Sequence, residues 1–245
     1  MKLKVLGCYS PNFSFKTVSC YRIELNKKVI YLDLGYLTMR KIKKSDYNNM
    51  IIVISHNHID HAMDLINLAL KLKFMKKYLK QKVTIYMPSN SKGVNIYRLL
   101  KKHFSDVLDI KKISENKIIY IDNAKITFCK TIHKGESYAI KIQKENKVFV
   151  YTSDLAKVNY ELIKFCKKAD MLLVEGGHAK KNNTPFGYYH GYTKEILESI
   201  NYACAKLVIV THLETRVNKQ EYIKKFPNSK YSKYICVEIN KEYLI

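Results

Sequence analysis

Several things are missing from this chain. Its six cysteines (8, 20, 129, 166, 204 and 236) stand singly, with no C-x-x-C pair, which excludes a thiolate zinc knuckle and predicts reduced thiols in a cytoplasmic protein. No apolar run approaches the ~18 residues of a membrane span, so no membrane partner is expected. Only seven residues precede Cys8, too few for a signal peptide, and V-L-G-C there reads as a strand end. There is no Pro/Gly/Ser-rich linker and no low-complexity stretch, so residues 1–245 are read as a single domain. Arginine is scarce, at 22, 40, 98 and 216 only, so lysine supplies nearly all of the net charge of +23. A Lys, Ile, Asn and Tyr bias is what an AT-rich gene imposes as much as what a polyanion-binding surface requires. The charge alone therefore assigns no nucleic-acid partner.

What the chain does have is a strand that ends in ligands. Residues 51–64 read I-I-V-I-S-H-N-H-I-D-H-A-M-D. The β-branched run stops at Ser55, and His56, His58, Asp60 and His61 follow at once. Buried without a cation, such a cluster would leave polar atoms unpaired. His56 and His58 share a face of an extended segment, whereas the adjacent Asp60 and His61 are expected to diverge, which suits two metal ions better than one.

Around this stretch the pattern alternates between strands and helices. Strands are predicted at 2–6, 19–25, 29–34, 50–54 and 83–87, with helices at 64–79 and near 94–104. Four short strands follow at 117–121, 125–132, 138–143 and 147–152, with Glu145-Asn146 as a hairpin turn. A helix near 160–168, an apolar strand at 171–174, a helix at 193–203, a strand at 207–210, a helix near 219–226 and a strand at 234–239 complete the chain. Two blocks of strands, each followed by helices, predict two sheets packed face to face with helices outside. A weak repeat, 29–33 against 148–154, ends both times in aspartate.

Three more ligand types follow apolar strands: His133, Asp154 and His212. With the first four they form a set of imidazoles and carboxylates without thiolate, which favours Zn²⁺ and admits Mn²⁺ or Fe. Solvent-filled coordination positions would make such a site catalytic. Asp64 is expected to cap the helix that follows it, and His103 to be solvated.

The H-x-H-x-D-H run at 56–61 resembles the signature of metallo-β-lactamase-fold hydrolases, and more closely of their RNase Z-like phosphodiesterase branch. The resemblance extends over the chain through Asp33, His133, Asp154 and His212. It implies a four-layer αββα sandwich of the α/β class and two divalent metal ions. His56, His58 and His133 would hold the first, Asp60, His61 and His212 the second, and Asp154 would bridge them. Asp33 would support the cluster from behind. It also implies a metal-bridging hydroxide, oriented by Asp60, that attacks phosphorus. Relatives of this kind often dimerise, so a homodimer is a further expectation. Di-iron redox relatives carry a carboxylate where this chain has His58.

The loop at 175–193 is the second informative stretch, mixing His, Lys and Tyr between a buried strand and a helix. Glu175 matches the acidic residue that the branch carries after an apolar strand. The branch's H-x-T pattern is displaced here: Gly191-Tyr192-Thr193 occupies it and His190 stands one position early. His190 is the candidate general acid, and His178 reads as a loop residue. Lys180, Lys181, Tyr188, Tyr189 and Tyr192 could clamp phosphate and stack a base. Twenty residues separate His133 from Asp154, which leaves no room there for the long arm of tRNA 3′-processing members and favours a smaller nucleotide or RNA-type phosphodiester. The alternatives are a carboxylic ester, lactone or thioester hydrolase of the same fold, a tRNA 3′-processing endoribonuclease, and a non-enzymatic nucleic-acid-binding protein.

Overall fold

The computed structural model describes residues 1–11, 16–90, 95–180 and 189–245. The first half of the chain runs β1 (Lys2–Gly7), β2 (Cys20–Glu24), β3 (Val29–Leu32), β4 (Met50–Val53), α1 (Ile59–Ala62), α2 (Asp64–Phe74), β5 (Val83–Met87), α3 (Ile96–His103) and β6 (Leu108–Lys112). The second half runs β7 (Ile119–Ile121), β8 (Ala124–Lys130), β9 (Tyr138–Lys144), β10 (Lys147–Tyr151), α4 (Tyr160–Cys166), β11 (Met171–Glu175), α5 (Thr193–Ile200), β12 (Leu207–Thr211), α6 (Lys219–Ile223) and β13 (Lys233–Cys236). A final strand, β14 (Glu242–Leu244), returns to the first sheet and pairs antiparallel with β1. The two seven-stranded sheets have the orders β14-β1-β2-β3-β4-β5-β6 and β13-β12-β11-β10-β9-β8-β7.

Period-two alternation explains the layers. Leu3, Val5, Tyr21, Ile23, Ile30 and Leu32 of the first sheet pack inward on Ile126, Phe128, Ile140, Ile142 and Phe149 of the second. Their neighbours Cys20, Tyr31, Ile52, Ile54 and Ile85 face outward onto Leu65, Leu68, Leu72 and Leu100 of α2 and α3. The second sheet is covered on its outer side in the same way by α4 and α5, through Leu162, Cys166, Ile196, Leu197 and Ile200. The four-layer αββα sandwich expected from the sequence is therefore the fold. All six cysteines are free thiols, and no described helix is long and apolar enough to cross a membrane.

Each sheet changes from antiparallel to parallel at one strand. β3 is antiparallel to β2 and parallel to β4, and β10 is antiparallel to β9 and parallel to β11. The weak repeat read from the sequence marks these two equivalent strands. In open α/β sheets ligands gather at the carboxyl ends of parallel strands near such a switch, and here β3, β4, β10, β11 and β12 all end at one edge of the sandwich.

Some elements depart from the sequence pattern. The helix predicted for 64–79 stops at Phe74, and residues Lys76–Tyr78 tighten into a 3₁₀ turn. β6 and β14 were not anticipated: both are short edge strands whose charged residues dilute the alternation, and pairing alone reveals them.

Candidate metal centre

The site is built from strand ends. Asp33, Ser153 and His212 follow β3, β10 and β12, and all three adopt positive φ (57°, 61° and 54°). A non-glycine residue held there costs about 1–3 kcal/mol; the sharp turn it makes directs the following chain across the sheet edge. Gly35 is needed for close approach, because a Cβ at this position would lie 1.9 Å from the Asp60 carbonyl oxygen of α1.

Three imidazole nitrogens meet in the first group of ligands. His56 Nε2 lies 3.0 Å from His58 Nδ1, and His133 Nε2 lies 3.1 Å from the same atom. A cation bonded to nitrogen at about 2.0–2.1 Å in tetrahedral geometry needs ligands about 3.3 Å apart, so the spacing fits. The other nitrogens are occupied in ways that set the tautomers. His133 Nδ1–H donates to the Tyr189 carbonyl at 2.7 Å. His56 Nδ1–H faces the hydroxyls of Ser55 and Ser153 at 3.1 and 3.2 Å, and the Ser55 hydroxyl spends its own proton on Asp33. Burial holds all three imidazoles below the ordinary histidine range, so their lone pairs are free at neutral pH.

The second group is His61, Asp60, Asp154 and His212. His61 Nε2 lies 3.1 Å from Asp60 Oδ2 and 3.3 Å from Asp154 Oδ2, and His212 Nε2 lies 3.7 and 3.6 Å from the same two oxygens. His61 Nδ1–H donates to Asp33 at 2.7 Å, and His212 Nδ1 pairs with the Ser19 hydroxyl at 3.1 Å. Burial disfavours the charge on His61, yet Asp154, Asp60 and Asp33 outweigh it and hold its pKa well above the usual value. Burial alone would raise Asp154, and His212 and His61 instead pull it well below the carboxylate range. Asp154 Oδ2 also faces the first group, 3.7 Å from His56 Nε2 and 3.9 Å from His133 Nε2. One oxygen therefore looks into both ligand sets.

The donor set fits divalent cations. His61 Nε2, His212 Nε2 and both carboxylate oxygens of Asp154 are out of reach of solvent and have no hydrogen-bond partner among the described residues. Nearby atoms are close but misdirected for hydrogen bonding; they converge on shared points instead, as ligands do around an ion.

Beside the second group, Glu175 at the end of β11 accepts two hydrogen bonds, from the Leu155 backbone N–H and from His190 Nδ1. Burial raises the Glu175 carboxyl. Burial also works against charge on His190, but Glu175 and Asp154 overcome it and push the pKa up to about 10. His190 Nδ1 lies 3.9 Å from Asp154 Oδ2, and its ring stacks on His212 with centroids 5.3 Å apart. The imidazolium is held against the ligand cluster.

The structure thus gathers His56, His58, Asp60, His61, His133, Asp154, His212, Glu175 and His190 at one edge. Three local expectations change. Asp60 and His61 converge on one group, because 59–62 form a helical turn rather than an extended segment. Asp64 does not cap its own helix; its carboxylate accepts the backbone N–H groups of Thr38 and Met39, tying α2 to the loop after β3. His178 is no idle loop residue, since its ring is paired with Glu214. Lys181 and Tyr188 lie outside the described residues. Tyr189 contacts Lys134, and Lys225 lies over the Tyr192 ring. The hydroxyls of Ser19, Ser55, Ser153 and Tyr151 were missed; serine and tyrosine are too common for a single sequence to flag them. A small cavity of about 50 Å³ opens beside His56 and His58, lined also by Asn57, Asn90, Lys134 and Glu136. A larger one, about 550 Å³ against β5, β6 and α3, is remote from every ligand.

Comparison with known proteins agrees with this geometry. The family described as "Beta-lactamase superfamily domain" matches residues 39–213. The probable metallo-hydrolase YhfI of Bacillus subtilis is 27% identical over 232 residues, 87% of each chain. Its crystal structure superposes with a TM-score of 0.84 over 99% of this chain and 98% of that one, at 20% identity. Ribonuclease Z of the same organism is 22% identical over 290 residues, covering 91% and 92%. The structure of a diphosphatase of the PhnP family gives a TM-score of 0.77 at 15% identity, over 100% and 97%. With more than half its length matched to the family and the fold in agreement, the chain belongs to the beta-lactamase superfamily, as a metal-dependent hydrolase of the RNase Z-like branch.

Proposed function

We propose that the protein is a dinuclear zinc phosphodiesterase acting on a nucleotide or RNA-type phosphodiester. The observation that carries this reading is the position of Asp154 Oδ2 between two ligand groups, with the protonated His190 3.9 Å from it. His56, His58 and His133 would hold one ion, Asp60, His61 and His212 the other, and Asp154 both. When bound, the ions supply a nucleophilic water at neutral pH and neutralise charge on the phosphoryl oxygens. The side chains do the rest. Burial would raise the Asp60 carboxyl, but His61 keeps it below the usual range, so it is ionised and orients the attacking water. Glu175 accepts His190 Nδ1–H and so keeps the ring protonated, which leaves Nε2–H as the proton that goes to the departing alkoxide.

A carboxylic ester, lactone or thioester substrate is the rival. The Glu175–His190 pair argues against the thioester, whose thiolate leaves without a proton, and serves an alkoxide leaving group. The names of the relatives, Ribonuclease Z and a PhnP-family diphosphatase, also support phosphoryl chemistry. Maturation of tRNA 3′ ends is disfavoured, because between His133 and Asp154 the chain forms only the β9–β10 hairpin. We further place the protein in the cytoplasm, in line with its free thiols. A second copy of the chain is a further proposed partner. Zinc-loaded protein is expected to contain two ions per chain and to cleave bis-p-nitrophenyl phosphate and linear or cyclic dinucleotides. Hydrolysis of lactones or thioesters with no phosphodiester cleavage would overturn the proposal.

A further inference from the structure

His190 has three imidazole walls. Its ring stacks on His212 at 5.3 Å, tilts against His133 at 5.4 Å and meets His178 edge-to-face at 5.9 Å. The first two belong to the ligand groups. The third serves neither group, and the fold invests in holding it. His178 Nδ1–H donates to Glu214 Oε1 at 3.3 Å, while Glu214 Oε2 accepts the Ala179 backbone N–H at 3.1 Å. The Tyr222 hydroxyl reaches the same oxygen at 3.4 Å. The backbone of His178 grips the acid segment directly: its N–H donates to the Gly191 carbonyl at 2.9 Å, and its carbonyl accepts from Thr193 N–H and Oγ1 at 3.0 and 2.8 Å.

The displaced H-x-T register supplies the reason. His190 stands three residues before α5, on a short bend rather than on the helix. Without a helical turn behind it, the ring needs a lateral support, and a side chain clamped by a carboxylate provides one.

We infer that His178, clamped by Glu214, is a positioning residue that holds the His190 ring in line with the leaving group. The inference rests on His190 being the proton donor of the proposed reaction. His178 reaches no reacting atom itself; it acts through the orientation of its neighbour, and Glu214 acts through His178. Misaligning a general acid costs most where the leaving group is a poor one, since a stabilised phenolate departs without a proton.

The test compares two esters of thymidine 5′-monophosphate, p-nitrophenyl and methyl, with zinc-loaded wild type, His178→Gln, Glu214→Gln and His190→Ala. The ratio of kcat on the methyl ester to kcat on the p-nitrophenyl ester is expected to fall about tenfold in His178→Gln and Glu214→Gln, and further in His190→Ala, with two zinc ions retained in each. A ratio that stays at the wild-type value in the first two while it falls in His190→Ala overturns the positioning role and leaves the acid in place. Equal losses on both esters in the first two make His178 and Glu214 structural only, which also overturns it. A ratio unchanged in His190→Ala removes the proton donor, and the inference goes with it.

Discussion

The side chain on which the cluster depends most is Asp33, and replacing it with asparagine tests that dependence. The carboxylate is fully buried and accepts four hydrogen bonds: Ser55 N–H on Oδ1 at 2.7 Å, and on Oδ2 the Ser55 hydroxyl at 2.9 Å, His61 Nδ1–H at 2.7 Å and the Tyr151 hydroxyl at 2.8 Å. All four partners are donors, so an amide fits in only one useful way. With its oxygen in the place of Oδ2, its NH₂ group confronts the Ser55 N–H, orphaning that donor at about 1–3 kcal/mol. The three remaining bonds change from charge-assisted to neutral, a loss of about 1 kcal/mol each. The total is about 4–6 kcal/mol in the metal-free protein. His61 also loses the anion that fixes its ring, so affinity at the second ligand group is expected to fall about 10–100-fold. Urea unfolding of metal-free wild type and Asp33→Asn, with zinc titration against a competing chelator, measures both quantities. An unchanged unfolding midpoint together with an unchanged second zinc affinity would refute the reasoning.

Other expectations follow from the same geometry. Zinc uptake must displace the proton that Asp154, Asp60 and Asp33 hold on His61; because that pKa is raised, the proton is bound at neutral pH and affinity grows as pH rises. The thermal stabilisation by zinc is therefore expected to be larger at pH 8.5 than at pH 6, and the reverse order would contradict it. In the metal-free protein the raised pKa of His190 adds stability that is full below about 6.5 and is lost as pH climbs through about 10, which a pH series of unfolding midpoints checks. Gly35→Ala puts a methyl group 1.9 Å from the Asp60 carbonyl, so it is expected to destabilise by about 1–3 kcal/mol and to lower zinc content; a variant as stable and as metal-rich as wild type removes the close-packing argument.

Much of the site was legible because its chemistry is local. His56, His58, Asp60 and His61 lie within one strand-to-helix turn, and His133, Asp154 and His212 each follow an apolar strand, so type and placement together marked them. Their division into two groups was legible only through the family resemblance. Asp60 and His61 show why: an extended chain would splay them apart, and the helical turn at 59–62 brings Asp60 Oδ2 within 3.1 Å of His61 Nε2. The supporting hydroxyls were not legible at all. Ser19 meets His212 across 193 residues of chain, and Tyr151 meets Asp33 across 118.

By itself, the sequence determined the sandwich and the ligand types, since both rest on period-two burial and on the coordination chemistry of residues close in the chain. Only the tertiary structure decided which oxygen of Asp154 faces both groups, which nitrogen each histidine presents, and that Glu175 holds the proton on His190. Those choices depend on hydrogen bonds between strand ends far apart in sequence, and on burial that forces every polar atom there to find a partner. The pairing of His178 with Glu214 has the same origin: the two residues lie 36 positions apart, on either side of the next strand.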